Sequence, residues 1–223
     1  MYKPSLKTKN TMSAQVLKIT HKLASSLNPF KLTVMILLLQ ILTACQNHKA
    51  IDSKQEKSWT LDKEQSSISL ISTKNNRIAE IFNFKNFKGS IDKNAYFSIE
   101  IDLNSIETNI PIRNQRMQKH LFETNIFPTA NIHTQLNIED LTAGIHKIQF
   151  DVDMHGVSEI VQAEFMVFDK LDSKIITLHK PLIINAKDYG LENGIQTLKN
   201  IAKLQSIDFT VPVNIVLTFK IDD

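Results

Sequence analysis

One cysteine, one tryptophan, three tyrosines and five glycines in 223 residues exclude several kinds of protein at once. A single cysteine, Cys45, cannot close a disulfide within the chain, so there is no disulfide-stapled scaffold, and a cysteine-rich structural zinc site is excluded for the same reason. Glycine is too sparse for collagen, and 42% hydrophobic residues with 22% charged residues make a globular rather than a disordered composition. No acidic side chain precedes Cys45, whereas six lysines do (Lys3, Lys7, Lys9, Lys18, Lys22 and Lys31). The remainder holds twenty basic and twenty-three acidic side chains, so the net +3 of the whole chain arises in its first segment alone. A nucleic-acid reader needs a basic face on its folded part, and this distribution removes most of that case. Catalytic signatures are missing too: there is no G-x-S-x-G elbow, no P-loop and no G-x-G-x-x-G. We therefore expect no enzyme, no catalytic residue and no cofactor.

The most apolar run, residues 32–42 (LTVMILLLQIL), has eleven residues and no charge. That is short of the roughly 20 residues a spanning helix needs. Lysines precede it, which is the charge layout of a secretory signal. The basic part is long, and Met12 offers a second start that would shorten it. The run ends in Leu42-Thr43-Ala44-Cys45, which resembles the bacterial lipobox: a large aliphatic residue, two small ones and the cysteine that is acylated. The resemblance implies cleavage before Cys45 and a diacylglyceryl group on its thiol, with two or more acyl chains giving a stable membrane anchor. Gln46, where an aspartate would retain a lipoprotein at the inner membrane, resembles outer-membrane sorting. The expectation is an exported protein, lipid-anchored at the outer membrane and facing the periplasm. Three segments follow: a signal at 1–44, a polar tether at 45–58 and one domain at 59–223.

The domain alternates with period two, the mark of strands with one apolar face. Phe97, Ile99, Ile101 and Leu103 form one such set. Ile132, Thr134, Leu136 and Ile138 form a second, and Ile148, Phe150, Val152 and Met154 a third. Val161, Ala163, Phe165 and Val167 follow, then Val211, Val213, Ile215, Leu217 and Phe219. Weaker strands are expected at 59–62, 67–73, 77–82 and 175–185, eight or nine in all. His155-Gly156 reads as a tight hairpin, and Lys88-Gly89, Ala143-Gly144 and Asn193-Gly194 as further turns. Residues 112–122 and 191–204 show helical spacing instead and predict two short amphipathic helices. The class is all-β: an antiparallel sheet that closes into a barrel and so removes its own edges. An eight-strand barrel holds either packed side chains or one small ligand. Its inward set includes Phe97, Ile99, Ile101, Leu136, Phe150, Val152, Phe165, Val167, Val213, Ile215 and Leu217. These residues either line a cavity or pack only on one another, and periodicity does not choose.

At this point the residues resemble a known family. Trp59-Thr60-Leu61-Asp62 with Ser66-Ser67-Ile68, then Phe87-Lys88-Gly89-Ser90-Ile91, resemble the opening segments of YceI-like proteins. Ser105-Ile106-Glu107-Thr108, Arg113, His120-Leu121-Phe122 and Phe127-Pro128 are similar to the family's central signature. His155-Gly156-Val157-Ser158 and Ala186-Lys187-Asp188-Tyr189-Gly190-Leu191 resemble its two later turns. Two departures stand out: Asn114, where many members carry aspartate, and Lys187 near a usual arginine. The resemblance implies an extended lipocalin-like barrel whose pore holds an isoprenoid or quinone-like lipid, with no catalytic residues. The implied partner is that lipid, the acyl anchor on Cys45 adds the membrane, and an open-ended barrel is also compatible with a homodimer.

Polar candidates are few. Arg113 and Asn114, with Arg116, sit at the start of the first expected helix. Either they contact a polar head group at a barrel mouth, or they are solvated charges or a structural ion pair with Glu107 or Glu123. Of the histidines beyond Cys45 (His48, His120, His133, His146, His155 and His179) none has metal-ligand spacing, and no metal site is expected. Asp188 and Tyr189 before Gly190 read as turn formers, with Asp188 accepting backbone hydrogen bonds.

Overall fold

The computed structural model describes residues 57–222. The signal, Cys45 and nearly all of the tether lie outside the described residues. Twelve β-segments and two α-helices make up the domain. In chain order they are β1 (Trp59–Leu61), β2 (Ser67–Lys74), β3 (Ile78–Phe84), β4 (Phe87–Ile91), β5 (Tyr96–Asp102) and β6 (Ile106–Glu107). Helix α1 (Pro111–Arg116) follows, then β7 (Thr129–Gln135), β8 (Gly144–Met154), β9 (Val157–Asp169), β10 (Ser173–Leu178), β11 (Leu182–Asn185), α2 (Glu192–Ile201) and β12 (Thr210–Ile221).

Twelve segments reduce to eight long strands. β1 and β2 lie end to end along one edge of β12, pairing Trp59 with Ile221 and Ile68 with Ile215. Their partners β4 and β3 are likewise successive parts of one bent strand, as are β5 and β6, and β10 and β11. Every pairing is antiparallel, and the β1–β12 ladder closes the ring. The antiparallel barrel of about eight strands that the strand pattern and the family resemblance led us to expect is therefore present. The excess segments are bends that sequence periodicity cannot see.

Each bend has a local cause. Between β1 and β2, the Asp62 carboxylate accepts the Glu64 N–H at 3.1 Å and sets a 3-10 turn. The buried Ser105 hydroxyl serves two bends at once. It accepts the Asn86 N–H at 3.0 Å, between β3 and β4, and donates to the Asp102 carbonyl at 2.6 Å, between β5 and β6. The single strand expected at 175–185 is broken before Pro181, which has no N–H to offer a ladder. Residues 112–122 are not one helix either: α1 passes into a π-helical turn at Met117–Leu121. Leu136 and Ile138 lie just past β7, although Leu136 still points into the core.

Two glycines differ from their expected roles. Gly89 is not a turn residue but lies inside β4, where a Cβ would come within 2.2 Å of Ile99 Cδ1. Gly194 is inside α2, where a Cβ would meet the His120 carbonyl oxygen at 2.5 Å and Leu121 Cα at 2.8 Å. Both are close-approach glycines. By contrast, the turn at His155-Gly156 matches expectation: both residues have positive φ (54° and 79°), the twist a two-residue hairpin requires.

The core divides along the barrel axis. At the end where β1 meets β12, Phe97 and Phe219 meet edge to face at 5.9 Å, and Ile91 and Phe219 are fully buried. Lys174 closes that end. Its ammonium donates to the Leu141 carbonyl at 3.0 Å and the Asp169 carboxylate at 2.8 Å, and lies 4.9 Å from the centre of the Trp59 ring. A lysine this deep is tolerated because its charge is paired and its other protons are directed at oxygen and a π face.

Candidate functional site

The other half of the barrel is hollow. An apolar cavity of about 450 Å³ lies between the β2–β3 sheet, β8, β12 and the two helices. Barrel strands supply Ile68, Leu70, Phe82, Phe84, Ile101, Phe150, Val152 and Ile215, and the helical insertions supply Met117, Leu121, Ile195 and Leu198. The spacing that marked residues 191–204 as amphipathic thus turns Leu191, Ile195, Leu198 and Ala202 onto the cavity. Gly194 lets α2 lie directly against the turn after α1, and so sets the wall's thickness.

The expected lining set splits in two. Ile101, Phe150, Val152, Val213 and Ile215 line the cavity. Phe97, Ile99, Leu136, Phe165, Val167 and Leu217 do not; with Phe150 and Ile215 they surround a void of about 30 Å³. Ile68, Ile132, Phe150 and Ile215 border both spaces, and the Phe150 ring meets that of Phe165 edge to face at 5.7 Å on the filled side. Period two assigns a side chain to the inside, but not to a filled or a hollow level of it. Several liners were not singled out from sequence. Leu70, Phe82 and Phe84 belonged to strands with weak alternation, and Met117 and Leu121 to a helix.

Polar liners gather at one end. Glu80 on β3 accepts both Arg113 Nη1 contacts, at 2.9 and 3.1 Å, and the Lys74 ammonium. Arg113 Nη2 donates to the Thr108 carbonyl at 2.8 Å, and its guanidinium stacks 4.7 Å over the Phe82 ring. Its Nε is buried with no hydrogen-bond partner. Burial pushes the Glu80 carboxyl up, but the hydrogen bonds from Lys74 and Arg113 outweigh it and hold Glu80 below the usual carboxylate range. Arg116 and Asp208 complete the polar rim. Arg113 therefore lines the cavity, in an ion pair with Glu80, not with Glu107 or Glu123.

Asn114 is elsewhere. Its Oδ1 accepts the Thr108 N–H at 2.9 Å and hydroxyl at 2.6 Å, and its Nδ2 donates to Glu107 at 3.0 Å. It ties the loop before α1 and is not among the cavity residues, so of its two readings the geometry favours the structural one over the head-group contact. Its hydrogen bond, with those of Lys85 and the Asn109 N–H, draws the Glu107 carboxyl down to about 2. The turn at 186–189 is capped by Asn185, which accepts the Lys187 N–H, while Asp188 accepts only from the Asn185 side chain. Tyr189 is buried, and burial pushes its phenol up to about 12. A group that stays neutral at ordinary pH, with no partner on its hydroxyl, is not poised for proton transfer.

His133 pairs with Asp153 at 3.0 Å and His155 with Glu123 at 3.0 Å, both as local structural contacts. Among the described residues no group of three or more His, Cys, Asp and Glu is arranged to hold a metal ion.

The YceI-like domain model matches residues 59–219. A solved polyisoprenoid binding domain from Saccharophagus degradans, implicated in plant cell wall breakdown, is 31% identical; the match covers 75% of this chain and 100% of that one, with a TM-score of 0.72. Burkholderia cenocepacia BcnA shares the fold at 16% identity and a TM-score of 0.55, over 71% of this chain and 98% of its own. No curated protein matches the sequence. With the barrel closed, the cavity in place and the match running through nearly the whole folded part, the chain belongs to the YceI-like family.

Proposed function

We propose that the protein binds, stores or carries an isoprenoid or quinone-like lipid in its barrel, and is held to the membrane through an acylated Cys45. The observation that carries the reading is a cavity of about 450 Å³ walled by aliphatic and aromatic side chains, with its charges confined to one end. Such a volume is in the range of small-molecule sites. A flexible apolar chain suits walls that offer area and few directed contacts. Each isoprene unit contributes roughly 2–3 kcal/mol before ordering costs. The similarity to a polyisoprenoid binding domain supports the same ligand class. Arg113, whose Nε is unpaired, is the mouth residue best suited to a polar head group. The reading assigns no catalysis. It takes the protein as an exported lipoprotein of the outer membrane, because the lipobox-like LTAC and Gln46 support that address.

The test is direct. Native mass spectrometry of gently purified protein should show retained lipid mass. Delipidated protein titrated with farnesol, geranylgeraniol or squalene should gain about 2.7 kcal/mol at a ligand concentration roughly 100-fold above Kd, which is roughly 5–10 °C in Tm. No retained mass and no thermal shift with any chain would leave a tethered scaffold.

A further inference from the structure

We propose that the mouth end of the barrel docks on the surface of an anionic lipid bilayer, so that a lipid moves between bilayer and cavity without crossing bulk water. This rests on the lipid-carrier reading and adds where and how the carrier meets its source. The rim is built from three elements: the β2–β3 hairpin, α1 and the C-terminal end of α2. The hairpin is tied to the segment after α2, since the Gln205 N–H donates to Asn75 Oδ1 at 2.8 Å and the Ser206 hydroxyl to Asn76 Oδ1 at 2.8 Å, and α1 is tied to β3 by the Arg113–Glu80 ion pair.

Charge on the domain is segregated toward this rim. Residues 57–222 carry 18 basic and 20 acidic side chains. Lys74, Arg113, Arg116, Glu80 and Asp208 line the cavity, and Arg77 in the β2–β3 turn and Lys203 just past α2 add two more cations, a local +3 on a domain of −2. All three arginines of the chain are there. Lys74 and Arg113 are committed to Glu80, whereas Arg77, Arg116 and Lys203 make no ion pair among the described residues. Cations left free beside an opening attract an anionic surface.

The same rim exposes aliphatic side chains. Ile78 (43%), Ile112 (51%) and Ile201 (38%) are exposed. Ile78 shares the β3 face of Glu80 and Phe82, Ile112 precedes Arg113 on α1, and Ile201 adjoins the liner Ala202. Apolar side chains among unpaired cations are the composition that enters a head-group layer. Here they are continuous with the cavity wall, which favours a bilayer over a soluble acidic protein as the occupant.

The opposite end supplies an internal control. Leu171, in the β9–β10 turn, is fully exposed, and it lies at the filled end with Trp59. Full-length protein is reconstituted in vesicles of phosphatidylcholine and phosphatidylglycerol brominated in their acyl chains. Tryptophan quenching is then compared between Ile112→Trp and Leu171→Trp. The expected result is about twofold stronger quenching for Ile112→Trp, abolished in pure phosphatidylcholine and in an Ile112→Trp background carrying Arg77→Glu, Arg116→Glu and Lys203→Glu. Equal quenching of the two positions, or quenching indifferent to lipid charge, overturns the proposal. Native mass spectrometry of the charge-reversed variant separates the two readings: lipid retained with quenching lost supports docking, and unequal quenching in a protein that never holds lipid removes the carrier reading alone.

Discussion

Asn114 shows how one side chain carries more than its type suggests. As an amide it offers a carbonyl to Thr108 and an N–H to Glu107, and an aspartate at this position would offer two acceptors. Glu107 is held at about 2 by that donor, by Lys85 and by the Asn109 N–H. A carboxyl whose pKa is lowered on folding stabilises the native state above the ordinary carboxylate range, and that contribution is lost as pH falls toward about 2. In Asn114→Asp the Glu107 pKa should rise, and the acid limb of the stability profile should begin at higher pH. Carbon-detected NMR titration of Glu107, alongside thermal melts below neutral pH, measures both. An unmoved Glu107 would mean that Lys85 and the Asn109 N–H suffice to set its charge. Arg113 stood out in the sequence as a charge at a helix start after a strand, with a mouth contact and a structural ion pair both open. Its partner was not legible, because Glu80 is distant in sequence and lies on a strand with weak alternation.

At the scale of elements, the two helical insertions decide whether the barrel is hollow. Helix α2 covers the cavity because Gly194 allows backbone contact with the turn after α1. Gly194→Ala should cost about 1–3 kcal/mol, since the methyl meets main-chain atoms that have no rotamer to yield. It should also weaken isoprenoid binding as the wall moves out; chemical denaturation and ligand titration read the two effects separately. Phe150 borders both the cavity and the small void, with its ring against Phe165 on the filled side. Phe150→Ala should lose about 3–5 kcal/mol when empty. It should join the small void to the cavity and shift chain preference toward longer isoprenoids, so squalene should stabilise it relatively more than farnesol does. An unchanged preference would show that chain length is limited at the mouth. Neither element effect was legible beforehand: Gly194 read as a turn signal, because a glycine needed for close packing and one needed for positive φ look identical in a sequence.

For the whole molecule, hollowness and polarity lie along one axis. Lys174 and Trp59 seal the filled end, while unpaired cations and isoleucines surround the other. Replacing Lys174 with Met should leave lipid binding intact and alter stability only, because the residue lies outside the cavity; matched thermal shifts for both proteins with and without geranylgeraniol check this. The amino-acid sequence by itself determined the all-β class, the antiparallel strands, the inward face of each strong strand and the His155-Gly156 hairpin, while ring closure was implied by the family resemblance. The former follow from period-two burial and local turn sterics, which need only neighbours along the chain. Only the tertiary structure decided which inward residues touch space and which touch one another, which carboxylate meets Arg113, and where a lysine can be buried. Those outcomes depend on how side chains from non-adjacent strands fill a shared volume, and no single strand contains that volume.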